Sequence, residues 1–242
     1  QAQLALRHAD DAILAAREAR LSGHVSVGMA PSTASVLGVP FINAMRESYP
    51  DVRLHLVESL SGNLERMINT RQLDLAIVFQ QEKILRWSAR PVLEERLFLI
   101  GTHALLASLP DDPVSPDQLT TLPLIMPSQG HGLRGRLEAV CQQHNLSVEV
   151  VADIDGLALL MQAVRSGLGA TLQPGAAISH LDHQALRVIG IANPVLSRPN
   201  FLVSLSDDEL TPAGLAARVI LSKVMRQLVE SDRWPGATLY VN

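Results

Sequence analysis

The sequence predicts an α/β fold of two small lobes joined by two crossover strands, set behind an N-terminal helix. Three observations carry this. Apolar runs of strand length alternate with segments whose apolar residues recur at helical spacing. The first third reads strand–helix–strand–helix–strand, which implies a parallel sheet with right-handed crossovers. The second half repeats that theme and closes on one long helix.

Residues 1–22 read as the leading helix. Ala2, Ala5, Ala9, Ala12, Ala16 and Ala19 fall at alternating spacings of three and four, the seam of a coiled coil. Leu6 and Ile13 widen that seam. An unpaired surface helix of good helix formers is the alternative reading. Ser22–Gly23 ends it. Residues 24–30 alternate as a strand, and Ser32, Thr33 and Ser35 are available to cap the helix that follows to about Tyr49. Leu37, Phe41 and Met45 form its apolar stripe, and Pro40 is expected to kink it or to lie near its first turn. Residues 52–59 form a strand, 61–70 a short helix, and 73–79 an almost wholly apolar, buried strand. Further strands follow at 97–102 and 122–126, then a helix at 131–144 and a strand at 147–152. A helix at 155–166 is broken by Gly167–Leu168–Gly169. Short strands at 170–172 and 201–205 precede a final helix, about 212–231, with Thr211 as its cap and Pro212 at its first position. The crossovers are expected near 97–102 and 200–206. Residues 23–100 plus 206–232 would then form lobe I, 101–205 lobe II, and 233–242 a tail.

Composition narrows the function. The chain has 242 residues, 47% hydrophobic and 18% charged, which suits a packed globule. Its formal net charge of −4 argues against a chain that grips DNA by itself. Cys141 is the sole cysteine, so no intramolecular disulfide can form. Apolar runs are too short to span a bilayer, and no export signal opens the chain, so a cytoplasmic protein without membrane contact is expected. The chain starts at Gln1 already in helical pattern, and a preceding segment is expected.

The run Leu21–Thr33 (LSGHVSVGMAPST), Tyr49–Pro50–Asp51–Val52, Leu73–Ile77 (LDLAI) and Val164–Ala170 (VRSGLGA) ending at Pro174 resemble, in order and spacing, the LysR-type transcriptional regulators. The resemblance extends from Gln1 to about Glu230. Pro127–Ser128, the GHVSVGMAP opening and a Trp-bearing tail are most similar to that family's nitrogen assimilation control branch. The resemblance implies two Rossmann-like lobes of the type 2 periplasmic-binding-protein kind behind a linker helix. It implies a winged helix-turn-helix upstream of residue 1, through which alone DNA would be bound. It also implies homodimers that often pair again as homotetramers, with Ala5, Ala9, Ala12, Ala16 and Ala19 on the dimerisation helix.

In a two-lobe α/β fold, ligands sit where strand C-termini meet helix N-termini. That points to Pro31, Ser32 and Thr33, to Ser61 and Asn63, and to Phe79 and Gln80 in the first lobe. In the second it points to Ser128, Gln129 and His131, to Asp155, and to Gln173. The resemblance places effector contacts in matching segments. The plainer readings stand beside it: Ser32 and Thr33 as caps, Ser128–Gly130 as a loop, Asp155 as an N-cap. Many relatives carry a hydroxyl near Gly156; here it is missing and a carboxylate stands next door, which disfavours an anionic effector and suits a neutral or basic one. Catalysis and metal binding find no support. There is no HExxH, P-loop or GxSxG motif, His180 and His183 fit a solvated helix, and Cys141 fits a structural thiol. No cofactor is expected.

The reading is therefore an effector-sensing and oligomerisation domain that carries the state of its cleft to DNA-binding heads. The rivals are a solute-binding receptor of the same two-lobe design and an effector-independent oligomerisation module.

Overall fold

A computed structural model describes residues 21–79, 87–111, 113–129, 132–179, 184–192, 196–206 and 209–240. The alanine seam, Gln80, His131 and the histidine pair at 180 and 183 lie outside the described residues. Leu21 and Ser22, read as the end of the leading helix, are not helical.

In chain order the first elements are β1 (Gly23–Met29), α1 (Pro31–Ser48), β2 (Val52–Glu58), α2 (Ser61–Asn69), β3 (Leu75–Val78) and β4 (Ser88–Thr102). Then come β5 (Pro123–Met126), α3 (Gly132–Gln143), β6 (Glu149–Asp153), α4 (Leu157–Arg165) and β7 (Thr171–Pro174). The last are β8 (Leu186–Gly190), β9 (Ser197–Ser204), α5 (Pro212–Glu230) and β10 (Ala237–Leu239). The first lobe's sheet runs β10-β4-β9-β3-β1-β2. Its three leading strands are parallel, as the βαβ pattern requires, and β9, β4 and β10 are antiparallel to their neighbours. Alternate residues of β3 serve opposite layers. Leu75 and Ile77 face α1 and α5, while Ala76 and Val78 face α2.

The second lobe forms around the far half of β4, where Leu97–Thr102 pair with β7 and β8. Parallel strands β5 and β6 join it through Ile125 N–H to Ala170 O at 2.7 Å and Ala170 N–H to Pro123 O at 2.8 Å. One core packs on α3 through Leu133, Leu137 and Val140, and another on α4 through Leu160, Met161 and Val164. The lobes are thus continuous in hydrogen bonding through β4 yet keep separate cores.

The crossovers differ from expectation. The strand expected at 97–102 is the second half of a 15-residue strand whose first half, Ser88–Arg96, pairs with β9. Residues 200–204 stay wholly within the first lobe's sheet. The chain crosses instead at residues 96–97 and 196–197, side by side, with Leu97 N–H donating to Leu196 O at 2.9 Å. Hydropathy hides the first half of β4 because it carries Arg90, Glu94, Glu95 and Arg96. The buried Glu95 is neutralised by its cross-strand neighbour Arg198.

Helix ends show which expectations rested on sound chemistry. Thr211 caps α5, its Oγ1 accepting from Gly214 N–H at 3.1 Å, with Pro212 at the first position. Gly167, at φ +79°, ends α4. The expected caps of α1 are not formed. Its N-cap is Ala30, Pro31 opens the helix, Ser32 and Thr33 lie buried in the first turn, and the Ser35 hydroxyl donates to Ser32 O and Ala176 O. The helix runs on through Pro40, which stands well beyond the first turn. The tail is built in: Trp234 is buried and β10 pairs with β4. Among the described residues no helix is long and apolar enough to cross a membrane.

Candidate functional site in the interlobe cleft

The C-terminal ends of β1, β2, β3, β5 and β6 converge on one small cavity, of about 30 Å³, room for about one water. Loop and helix-start residues supply its wall: Pro31, Ser32, Leu60 and Phe79 from the first lobe, Pro127, Asp155 and Leu157 from the second. Gln173 on β7 and Arg198 on β9 complete the polar lining.

The floor is a buried ion pair. Arg198 and Glu95 sit opposite each other on β9 and β4, with side chains 4% and 0% exposed. Arg198 Nε donates to Glu95 Oε2 at 2.9 Å, and a terminal nitrogen lies 2.8 Å from the same oxygen. Glu95 Oε1 accepts from Ala176 N–H at 2.6 Å and from Trp234 Nε1–H at 2.7 Å. Arg198 also donates to Ser32 Oγ at 2.9 Å, and its guanidinium carbon lies 3.6 Å from the centre of the Phe79 ring. Burial pulls the Arg198 pKa below its ordinary value, and the neighbouring Glu95 charge opposes that shift. Each charge is affordable only because the other is there. The pair joins β4 to β9 right beside both crossing points and so ties the two crossing strands together at the cleft floor.

The second lobe's wall has its own polar clasp. Ser128 donates to Asp155 Oδ1 from its backbone N–H at 2.9 Å and from its hydroxyl at 2.8 Å. Asp155 is therefore not the cap of α4; that position is Gly156, with no side-chain cap.

Of the residues expected in the site, Pro31, Ser32, Phe79, Asp155 and Gln173 come together around the cavity, with Ser128 held beside it by Asp155. Gln173 is buried, and its amide donates to Thr171 Oγ1 at 3.3 Å. Thr33 lies fully buried beneath, with an unpartnered Oγ1, and Ser61 Oγ is likewise buried without a partner. Gln129 is exposed and does not line the cavity. Asn63 lines a different, open hollow with Ser59 and Arg66. Gln80 and His131 lie outside the described residues. Sequence reading missed Arg198, Glu95 and Trp234. They are brought together from positions 103 and 139 residues apart. No local signal marked them, since neither 88–96 nor 197–200 reads as strand and Trp234 falls in the expected tail.

Chemically the cavity offers hydrogen-bonding groups and one guanidinium around a space of about 30 Å³. Cys141 sits elsewhere, in the second lobe's core on α3, where burial first and Glu138 second push its thiol pKa up. A thiol so placed is a poor nucleophile. No group of three or more His, Cys, Asp or Glu residues suited to a metal occurs among the described residues.

Comparison with known proteins places this geometry. The model of the LysR substrate binding domain family matches residues 18–226. The nitrogen assimilation regulatory protein nac of Escherichia coli is 29% identical over 97% of this chain and 74% of its own length. Among solved structures, the regulatory domain of Synechocystis CcmR in complex with 2-PG superposes with a TM-score of 0.75 at 18% identity, covering 86% of this chain and 99% of that one. The effector binding domain of QuiR in complex with shikimate gives 0.73 at 17% identity, over 86% and 99%.

Proposed function

Because this chain belongs to the LysR substrate binding domain family, we propose that it is the effector-sensing and oligomerisation domain of a transcriptional regulator, and not an enzyme. A small molecule enters between the lobes, favours one lobe angle, and so changes the geometry of a homodimer, or of a homotetramer built from it, that carries DNA-binding heads. The observation that carries the reading is the Arg198–Glu95 pair. It sets a buried guanidinium at the meeting point of both crossovers, the start of α1 and the polar ends of the second lobe. The ligands held by the QuiR and CcmR domains support a small metabolite as the effector. One guanidinium set against the carboxylates of Glu95 and Asp155 suits a neutral or basic molecule better than a dianion. A cytoplasmic setting and kinship with the nitrogen assimilation control branch belong to the same reading.

A second reading has its own observation. The cavity holds only about 30 Å³, and the protein's own ion pair fills the place where a ligand's charge would sit. The domain would then work as an effector-independent assembly module. A thermal-shift screen of small metabolites separates the two. The first reading expects at least one compound that raises the Tm of the native chain and loses its effect in Gln173→Leu. A screen with no stabilising compound removes the first reading and leaves the second.

A further inference from the structure

We propose that the C-terminal tail is a strap that sets the angle between the two lobes, so that the cleft changes shape only when the tail gives way. Residues 234–240 run beside the crossing at 96–97 and touch the chain on both sides of it. On the first-lobe side, Trp234 is buried in that lobe's core, and its indole N–H donates to Glu95 Oε1 at 2.7 Å. Ala237–Leu239 pair with Leu93–Glu95, and the Tyr240 N–H donates to Val92 O at 3.2 Å. At the crossing itself, the Arg96 N–H donates to Gly236 O at 2.9 Å.

On the second-lobe side, the tail presents bare backbone to Phe98 and Gly175. Phe98 packs on the second lobe's α4 core, and Gly175 directly follows β7. A Cβ on Gly236 would fall 2.8 Å from two carbons of the Phe98 ring. A Cβ on Gly175 would fall 1.6 Å from the Pro235 carbonyl oxygen. Gly236 also stands at φ +69°, where a side chain is strained. Pro235–Gly236 is thus wedged between the end of the first lobe's part of β4 and two points on the second lobe.

An edge strand that only finished the first lobe's sheet would need the β10 pairing and nothing more. The close approaches at 175 and 236 bring the second lobe in. Because the tail is anchored to the first lobe, rotation about 96–97 must pull Phe98 away from Gly236 or drive the two together. Packed contacts of this kind resist both, since lost contact and overlap each cost energy. Lobe angle and tail docking are then one equilibrium. Trp234 carries the same equilibrium to the cleft floor, through Glu95. The proposal rests on the lobe bending proposed above but not on an effector. Its test uses no added compound, so its failure is separate from a failed metabolite screen.

Two readouts on the whole chain test it. Amide hydrogen exchange at Arg96 and Tyr240 reports tail docking, because both N–H groups bond across the tail's contact with β4. Spin labels on Glu47→Cys of α1 and Gln162→Cys of α4, both exposed, report the lobe angle in a Cys141→Ala background. Gly236→Ala should speed exchange at both amides by about tenfold or more and should broaden or shift the distance distribution. Phe98→Leu cuts the strap from the second lobe and leaves its first-lobe anchors in place. It should broaden the distribution while both amides stay protected, and it is the deciding variant should Gly236→Ala fail to fold. The proposal is overturned if Gly236→Ala leaves exchange at both amides unchanged, or frees them while the distribution stays as it was. It is equally overturned if Phe98→Leu leaves the distribution unchanged.

Discussion

At the scale of single residues, the protein turns on Glu95, which accepts from a guanidinium, an indole and a backbone amide while wholly buried. Glu95→Gln leaves the Arg198 charge buried without its counter-ion and should cost about 3–5 kcal/mol, read from urea unfolding. A loss below about 1 kcal/mol, the range of an exposed pair, would show that the pair is not what holds the floor. Cys141 gives a pH-dependent counterpart. Its folded pKa is raised, so the protonated thiol is favoured by folding. The associated stability is fully present below the unfolded thiol's pKa and declines as pH rises from there through the folded value. Accordingly, Cys141→Ala should flatten the fall of stability at alkaline pH in unfolding titrations, and an unchanged slope would contradict this assignment. Ser32, Asp155 and Gln173 were legible as residues lining the cleft because strand ends and helix starts can be read from sequence. Glu95 and Arg198 were not, because their burial depends on a pairing between distant strands that no local pattern encodes.

At the scale of elements, the helices and parallel strands of the first lobe were legible because period and turn chemistry agree there. Leu37, Phe41 and Met45 do form the buried stripe of α1, and Thr211 does cap α5. The first half of β4, β8 and β10 were not read. Charged residues break the apolar signature in the first half of β4, whereas β8 and β10 are only five and three residues long. All three are antiparallel strands whose partners decide their state. Two glycines test how elements meet. A Cβ on Gly175, just after β7, would fall 1.6 Å from the Pro235 carbonyl oxygen, so the tail docks on bare backbone. A Cβ on Gly38, within α1, would meet nothing within 4 Å. Gly175→Ala should therefore destabilise by more than about 2 kcal/mol, through overpacking that backbone cannot relieve. Gly38→Ala should stabilise by about 0.5–1 kcal/mol through helix propensity and unfolded-state entropy. Thermal or urea unfolding of the two variants reads both signs, and equal effects would contradict the docking described.

At the scale of the molecule, the cores of the two lobes share one long strand and a second crossing beside it, and both crossings lie next to the buried pair at the cleft floor. Under the proposed function, bending there would change the cleft while leaving the cores of either lobe intact, so that a few kilocalories of differential binding would select a lobe angle. The most direct measurement is the distance between spin labels on Glu47→Cys of α1 and Gln162→Cys of α4, both exposed positions, in a Cys141→Ala background. It is taken with and without a compound that stabilises the native chain through the cleft. The account predicts that the compound shifts the interlobe distance distribution by several ångströms, towards a closed form. An identical, single distance in both conditions would contradict it.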